Sequence, residues 1–250
     1  MSVLIFLLFK INAVENIKKQ IAAINWVQVA DGLNKKGFAL VPGFLDDESC
    51  GHLLQNYDNR TLYRKTIVME RYRFGLGEYK YFSYPLPGLL QTIREEVYAR
   101  VWPVANEWMD MLGIAKKFPA SLDALREDCF SKGQPEPAVL ILKYGKGGHN
   151  TLHQDLYGEV FFPLQLVIFL NEPGTDYTGG EFVLLQQTPR AQSKAIVLQP
   201  GRGGMLLFAT RFRPVKGSKG YYRAQMKHGV SELHTGERHT VGIIFHDAKS

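Results

Sequence analysis

The chain has 250 residues, 45% of them hydrophobic, and no segment has the composition of a disordered region. It carries 30 Lys and Arg against 24 Asp and Glu, and the net charge of +6 favours a polyanionic partner over a polycationic one. Its two cysteines, Cys50 and Cys129, are far apart and outside any C-x-x-C motif, so no disulfide framework is implied and reduced thiols in the cytoplasm are expected.

The N-terminal segment combines an apolar run with helix and strand patterns. Val3–Phe9 is too short to span a bilayer and lacks the basic region and cleavage site of a signal peptide. We expect a buried helix or strand there, or a true start after Met1, and no membrane contact. Apolar residues recur at helical spacing from Asn12 to Lys36, Phe38–Val41 is typical of a short strand, and Asp46–Glu48 predicts a helix start.

The stretch from Tyr63 to Tyr84 is rich in aromatic and basic side chains. Within it, Val68–Phe74 and Tyr79–Tyr84 predict the two strands of a hairpin. Two interpretations of its basic face remain open. Cations such as Arg73 could meet phosphates while the rings stack on bases, or the face could simply be solvated.

The longest helical pattern is Pro87–Leu112, and Pro103 should kink or divide it. Ala120–Phe130 predicts a further short helix, and Gly133–Pro137 is typical of a linker. We therefore expect an N-terminal helical and hairpin region over residues 1–132 that supports a core over residues 133–250. The two together should form one compact domain.

The segment after the linker is a run of short strands with Gly and Pro turns and no helical interruption. Eight strands are predicted, over Ala138–Tyr144, Leu152–Asp155, Phe161–Leu170, Glu181–Gln186, Ala195–Leu198, Gly204–Phe208, Ala224–Ser231 and Thr240–His246. This pattern suggests an α+β fold with a double-stranded β-helix, or jelly-roll, core and the N-terminal helical region packed on its sheet.

Three side chains of this core match the ligand set of a non-haem iron site. His153 and Asp155 are two residues apart, so on an extended strand both point to the same face. His228, on a distant strand, would complete two imidazoles and one carboxylate, which hold Fe(II) on one side and leave positions open for a co-substrate and O2. Arg238 begins the next predicted strand and would present a bidentate cation to a carboxylate.

Other histidines compete with His228 for the third position. His239 must face the opposite side of its strand from Arg238, and His246, near the end of the last strand, is expected to be exposed. His149 is expected in a loop, where a substrate contact stays open, and His234 in a turn. We therefore prefer His228.

The order of these residues resembles the 2-oxoglutarate/Fe(II) dioxygenases, with a core of the prolyl hydroxylase type. The motifs that carry this resemblance are Tyr144-Gly145, His153-x-Asp155, Gly179-Gly180-Glu181-Phe182, His228 and Arg238. From about Trp26 onward, the chain also resembles a bacterial family labelled as oxygenases that act on damaged DNA. That second resemblance rests on Leu152–Gly158, Phe162–Gln165, Pro189–Ser193, Arg213–Val215 and Arg238-His239.

The resemblance implies a cofactor set and roles for individual residues. Fe(II) would be held by His153, Asp155 and His228, with 2-oxoglutarate and O2 as co-substrates and succinate and CO2 as products. Arg238 would anchor the distal carboxylate of 2-oxoglutarate. Tyr144 matches a tyrosine that lines the co-substrate pocket, although it could equally be a core aromatic residue.

The substrate stays the most open point. The segment Thr210 to Lys227 precedes His228 and is basic, and Arg211, Arg213, Lys216 and Arg223 would suit a phosphate backbone. This favours oxidative demethylation of damaged nucleic acid, a DNA-repair activity. A core closer to prolyl or amino-acid hydroxylases keeps that class as the alternative. A catalytically idle binding module is disfavoured because the whole ligand set is intact.

Overall fold

The computed structural model describes residues 14–249, and the prediction for Val3–Phe9 falls outside them. Five helices lie in the N-terminal half of this range: α1 over 14–23, α2 (Trp26–Lys36), α3 (Asp47–Gln55), α4 (Gly88–Met111) and α5 (Leu122–Ser131). The Asp46 side chain accepts a hydrogen bond from the backbone N–H of Ser49 and caps α3, which confirms the predicted helix start. No helix of the described range is long and apolar enough to cross a membrane.

Of the two effects expected from Pro103, a kink or a division, the division is wrong, because helix α4 runs unbroken through it. A proline removes one helical hydrogen bond and crowds the preceding turn, at a cost of about 3 kcal/mol. Residues on both sides of it, among them Val97, Val101 and Trp108, are buried against the rest of the core. Their packing outweighs the local penalty.

Fifteen strands follow one another along the described chain. They are β1 (Phe38–Val41), β2 (Tyr63–Val68), β3 (Gly75–Leu76), β4 (Glu78–Phe82), β5 (Val139–Tyr144), β6 (His149–His153), β7 (Leu164–Phe169), β8 (Tyr177–Gly179), β9 (Phe182–Gln187), β10 (Lys194–Leu198), β11 (Met205–Ala209), β12 (Phe212–Gly217), β13 (Gly220–Val230), β14 (Leu233–Gly236) and β15 (Arg238–Ile244).

These strands form two principal antiparallel sheets. The larger has the order β1-β11-β7-β15-β5-β4-β2, and the smaller has the order β10-β9-β13-β6-β3 with β12 paired to β13. The sheets face each other, since Phe182 of the smaller packs on Phe208 of the larger with ring centroids 5.0 Å apart. Helix α4 packs beside the larger sheet, where its Tyr98 contacts Phe162, just before β7, and Phe245, just after β15. The α+β class with a jelly-roll core is confirmed.

The N-terminal region does more than pack on the sheet. Strands β1, β2 and β4 belong to the larger sheet and β3 to the smaller, so both sheets include residues from either side of 132. The segment expected as a linker is also fixed in place. Gln134 is fully buried, and its side-chain amide donates to the carbonyl oxygens of Val160 and Asp247.

The predicted hairpin is shifted along the sequence. Val68–Phe74 is not a strand, because β2 ends at Val68 and Met69–Tyr72 forms a turn of 3-10 helix. Arg73 follows with a left-handed φ of 60°, which no extended strand can accommodate. After Phe74, the residues Gly75–Leu76 leave the hairpin and pair with β6 in the other sheet.

Candidate functional site

His153 and His228 are direct partners in the register of β6 and β13. Side chains of opposed residues on adjacent antiparallel strands lie on the same face, so both imidazoles point into the space between the sheets. Their ring centroids are 4.2 Å apart. The carboxylate of Asp155 joins them, with Oδ1 at 3.6 Å from His153 Nε2 and Oδ2 at 3.2 Å from His228 Nε2. One ligand atom from each residue lies within 4.8 Å of the others, a spacing that one metal ion can bridge.

The strand ends before the carboxylate. β6 stops at His153, and Asp155 lies in the loop that follows. Gln154 fixes this loop, because its side-chain amide donates to the carbonyl oxygens of Met226 at 2.8 Å and Arg211 at 2.9 Å. The connection ties the His153–Asp155 turn to β13, two residues before His228.

A further layer of contacts orients the three side chains. The Nδ1 atom of His153 is 2.7 Å from the carbonyl oxygen of Thr151, which places the proton on Nδ1 and leaves Nε2 free to bind a metal. The hydroxyl of Tyr157 donates to Asp155 Oδ1 at 2.7 Å. His228 is enclosed by Phe182, stacked at 5.8 Å, and by Phe208, edge-on at 4.9 Å.

The charges of the cluster suit metal binding. Burial alone would raise the pKa of the Asp155 carboxyl, but His228, His153 and the Tyr157 hydroxyl together hold that pKa below its usual range. Burial lowers the pKa of His153, and the neighbouring His228 lowers it further. An ionised carboxylate and a neutral imidazole are the forms in which these side chains bind metals.

The cluster opens into a cavity of about 210 Å³ between the two sheets. Its wall includes all three side chains together with Arg238, Tyr144 and Phe74. The remaining wall is largely apolar, which lowers the local dielectric and strengthens any charge interaction inside.

Arg238 is a buried cation in this wall. It is 1% exposed, and none of its three guanidinium nitrogens has a hydrogen-bond partner within residues 14–249. The aromatic rings of Phe169 and Tyr144 lie 5.3 and 5.6 Å from its Cζ. Burial raises the pKa of the Tyr177 phenol, and the nearby Arg238 offsets only part of that rise, so the phenol is neutral and does not compensate the charge of Arg238. A buried guanidinium without an anion is costly, so this position fits an anionic ligand.

Tyr144 is fully buried beside Arg238, and β5 and β15 place the two residues opposite each other. Its hydroxyl accepts a hydrogen bond from the Asn150 side chain at 3.3 Å. Burial raises the pKa of Tyr144 to about 12, so the hydroxyl keeps its proton and can donate it into the cavity. Arg238 and Tyr144 therefore form one polar end of the cavity.

The basic residues predicted to contact substrate do not line the cavity. Arg213 is wrong as a surface contact, because it is buried and its Nε donates to Gln186 Oε1 at 2.9 Å, with a longer bond to Asn34 O. Arg211 is half-buried, whereas Lys216, Arg223 and Arg73 are exposed. The side chain of Arg223 covers the ring of Phe212 at 4.6 Å.

The other histidines are accounted for individually. His239 faces away from Arg238 and bonds to Asn171, as expected. His149 belongs to β6 and not to a loop, and His234 belongs to β14 and not to a turn. His246 is fully buried, against expectation, because the chain end folds under α4. Its Nδ1 accepts the backbone N–H of Phe162.

Gln154 and Tyr157 are functional candidates that the sequence interpretation missed. Both lie within Leu152–Gly158, the motif already singled out around His153 and Asp155. Gln154 lies one residue before Asp155 and Tyr157 two residues after it, and this proximity could have identified both as candidates from the sequence.

Comparisons with known proteins identify related sequences. A family model named Oxygenase-NA, described as "Oxygenase, catalysing oxidative methylation of damaged DNA", matches residues 77–248. Two proteins named as uncharacterized, from two strains of Mycobacterium tuberculosis, are each 45% identical to this chain over 167 residues, which is 67% of this chain and 72% of theirs.

Solved structures with the same fold are distant in sequence. A prolyl-4-hydroxylase of Pseudomonas putida has a TM-score of 0.53 and 14% identity, covering 90% of this chain and 100% of that one. A 2OG-Fe(II) oxygenase family oxidoreductase of Burkholderia pseudomallei has a TM-score of 0.53 and 14% identity, covering 91% and 95%. A prolyl hydroxylase of Trichoplax adhaerens, in complex with a hypoxia inducible factor peptide, has a TM-score of 0.52 and 16% identity, covering 93% and 92%. At these identities the likeness is one of fold.

Proposed function

The chain belongs to the Oxygenase-NA family, and from that premise we propose that it is an Fe(II)- and 2-oxoglutarate-dependent dioxygenase that oxidises damaged nucleic acid. One observation carries the proposal. The cluster of His153, Asp155 and His228 opens into the same cavity as the unpaired guanidinium of Arg238. A metal site and an anion site in one cavity are what an iron enzyme with an acidic co-substrate needs.

The cofactors fit the residues present. Two imidazole nitrogens and one carboxylate oxygen form the facial ligand set of non-haem Fe(II) oxygenases and leave coordination positions open. Arg238 would hold the distal carboxylate of 2-oxoglutarate as a bidentate cation, and the Tyr144 hydroxyl would be a neutral donor beside it. When bound, Fe(II) with 2-oxoglutarate and O2 supplies the oxidising chemistry and yields succinate and CO2.

The protein itself orients the metal-binding side chains and excludes water from them. Thr151 holds the His153 ring in the tautomer that binds metal, and Tyr157 occupies one oxygen of Asp155 so that the other is free to face the ion. Phe182 and Phe208 keep water from His228. No side chain is required as a general acid, base or nucleophile.

A methylated base is the substrate that the family description supports best. An oxygenase carries no methyl donor, so the chemistry favours oxidation of a methyl group that is already present. Insertion of one oxygen atom into an N–CH3 group gives N–CH2OH. This product loses formaldehyde and restores the N–H, so oxidation becomes demethylation. The net charge of +6 and the exposed Lys216, Arg223 and Arg73 support a polyanionic substrate.

Hydroxylation of a prolyl peptide or an amino acid is the second candidate. It is supported by the fold shared with prolyl hydroxylases. A non-catalytic binding module has no comparable support, because every residue of the metal and anion sites is in place.

Product analysis separates the two candidates. The Fe(II)-loaded protein should be incubated with 2-oxoglutarate and, in parallel, with N-methylated single-stranded DNA, the same DNA without methyl groups, and prolyl peptides. We expect formaldehyde only from the methylated DNA, in step with succinate. Hydroxyproline without formaldehyde would overturn the nucleic-acid proposal and favour the second candidate.

A further inference from the structure

Two aromatic rings lie exposed at the rim of the cavity. Tyr72 and Phe74 are stacked on each other, with centroids 5.5 Å apart and planes 20° from parallel. They are nevertheless 54% and 43% exposed, so their outer faces are in water. Phe74 also lines the cavity that contains His153. We call these two side chains the ring pair.

The ring pair is rigidly attached to the candidate metal centre. The carbonyl oxygen of Phe74 accepts hydrogen bonds from the backbone N–H and the hydroxyl of Thr151, at 2.9 and 3.0 Å. Thr151 is two residues from His153 on the same strand, roughly 7 Å along it. A side chain at Gly75 would place its Cβ 2.2 Å from the carbonyl oxygen of His149, so this glycine permits the close approach.

The backbone between the two rings is strained. Arg73 has φ 60°, a left-handed conformation that non-glycine residues seldom adopt. It places Tyr72 and Phe74 on one side of the segment, where their rings overlap. Strain at a residue beside a cavity is often retained for function, and here it orients an exposed apolar surface that folding alone would favour burying.

The charges beside the ring pair indicate which kind of ligand this surface would bind. Arg71 precedes the ring pair and Arg73 lies between its two residues; both are exposed, and neither has an ion pair among the described residues. Planar rings beside unpaired cations match the two parts of a nucleotide, since bases stack on the rings and phosphates meet the cations. A prolyl peptide could contact the rings but carries no phosphate for either cation.

The geometry of the reaction adds a reason for stacking. A base inside a duplex cannot reach a centre enclosed between two sheets, so it must be unpaired and taken out of its stack. Its neighbour in the strand then loses one stacking face. Resting on the nucleic-acid function proposed above, we propose that the ring pair is a stacking platform for the unpaired base that flanks the oxidised nucleotide.

The test uses a single-stranded oligonucleotide with the fluorescent base 2-aminopurine next to an N-methylated base. Stacking on a ring quenches this probe. Binding to the wild-type protein should lower its fluorescence, and Tyr72→Ala and Phe74→Ala should each weaken binding about 10-fold and abolish the quenching. Tyr72→Phe and Phe74→Tyr keep an aromatic ring at each position, so both variants should retain the wild-type affinity and the quenching. Phe130→Ala removes a side chain that is 72% exposed on α5 and does not line the cavity, so it should change neither the binding nor the quenching.

The salt dependence of oligonucleotide binding distinguishes the contribution of the two rings from that of the two arginines. Arg71→Gln and Arg73→Asn should each reduce the slope of log Kd against log salt by about 0.7, whereas the ring variants should leave that slope unchanged. If the wild-type protein binds the oligonucleotide and the ring variants bind equally well with the same quenching, the platform is wrong and the nucleic-acid function stands. If the wild-type protein binds no oligonucleotide and methylated DNA yields no formaldehyde, both proposals fail.

Discussion

His153 and His228 are register partners on β6 and β13, and their rings lie 4.2 Å apart. This pairing brings together two residues that are far apart in sequence, and the backbone hydrogen bonds of the sheet hold them there. A metal site built on paired strands is better preorganised than one built on loops. The third ligand candidate, Asp155, lies on a loop and depends on other contacts for its position.

Tyr157 is the first of these contacts to test. Tyr157→Phe removes the hydrogen bond to Asp155 Oδ1 and leaves the carboxylate free to rotate. Loss of such an outer partner typically weakens metal binding 10- to 100-fold, and we expect about 10-fold for Fe(II) under anaerobic dialysis. The matched control is Tyr63→Phe, which removes a hydroxyl bonded to the carbonyl oxygen of Asn56. Equal iron affinity in both variants would show that Tyr157 does not orient Asp155.

Arg238 should lower the stability of the protein without ligands but favour the binding of the co-substrate. Arg238→Met replaces a buried, unpaired charge by an apolar chain, so the protein without ligands should gain about 1–4 kcal/mol in free energy of unfolding. The same variant should lose the thermal stabilisation that 2-oxoglutarate gives to the metal-loaded protein. Arg202→Met is the control, because it removes a partly buried guanidinium that is already paired, with Asp47. A destabilised Arg238→Met that still binds 2-oxoglutarate would contradict the assignment.

Gly180 should be needed for the position of Arg238. An added Cβ would lie 2.1 Å from Leu233 Cδ1 and 3.2 Å from Arg238 Cδ, on a residue with φ 62°. Gly180→Ala should therefore lower both stability and 2-oxoglutarate affinity. Gly174→Ala shares the left-handed backbone, φ 81°, but its Cβ would meet nothing within 4 Å. It should cost only backbone strain, about 1 kcal/mol, and leave the affinity unchanged. Equal affinities in the two variants would refute the steric argument.

His239 should make stability depend on pH. Burial, with a further contribution from Lys143, lowers its pKa to about 4, against roughly 6.5 in the unfolded chain. As the pH falls below 6.5 the unfolded chain takes up this proton first, so the folded state loses about 2 kcal/mol between pH 7 and pH 5. Urea titrations at both pH values should show a smaller loss for His239→Gln. An unchanged pH dependence in His239→Gln would contradict the prediction.

The sequence predicted the centre of the site better than its surroundings. Residue types and their order predicted that His153, Asp155 and His228 would lie together, and sheet pairing accounts for the two histidines, which are register partners. The contacts that hold Asp155 in position could not be predicted from the sequence. The strand ends at His153, and Gln154 bonds to Met226 and Arg211, which only the folded chain brings near.

The errors share one cause, which is long-range packing. Alternating residues in Val68–Phe74 predicted a strand, but the left-handed Arg73 and the pairing of Gly75 with β6 interrupt it. His246 and Arg213 looked exposed because local sequence does not reveal what covers them. His246 is buried near the ion pair of Arg94 and Asp247, and Arg213 lies against α2 and β9.

Succinate formation is the most direct test of the proposed dioxygenase. Purified protein should be loaded with Fe(II) and supplied with 2-oxoglutarate under air, with and without N-methylated single-stranded DNA. The wild-type protein should form succinate, methylated DNA should increase it with an equal amount of formaldehyde, and His153→Ala should form none. Absence of succinate from iron-loaded wild-type protein, or equal succinate from His153→Ala, would contradict the proposal that this cluster is the catalytic iron site.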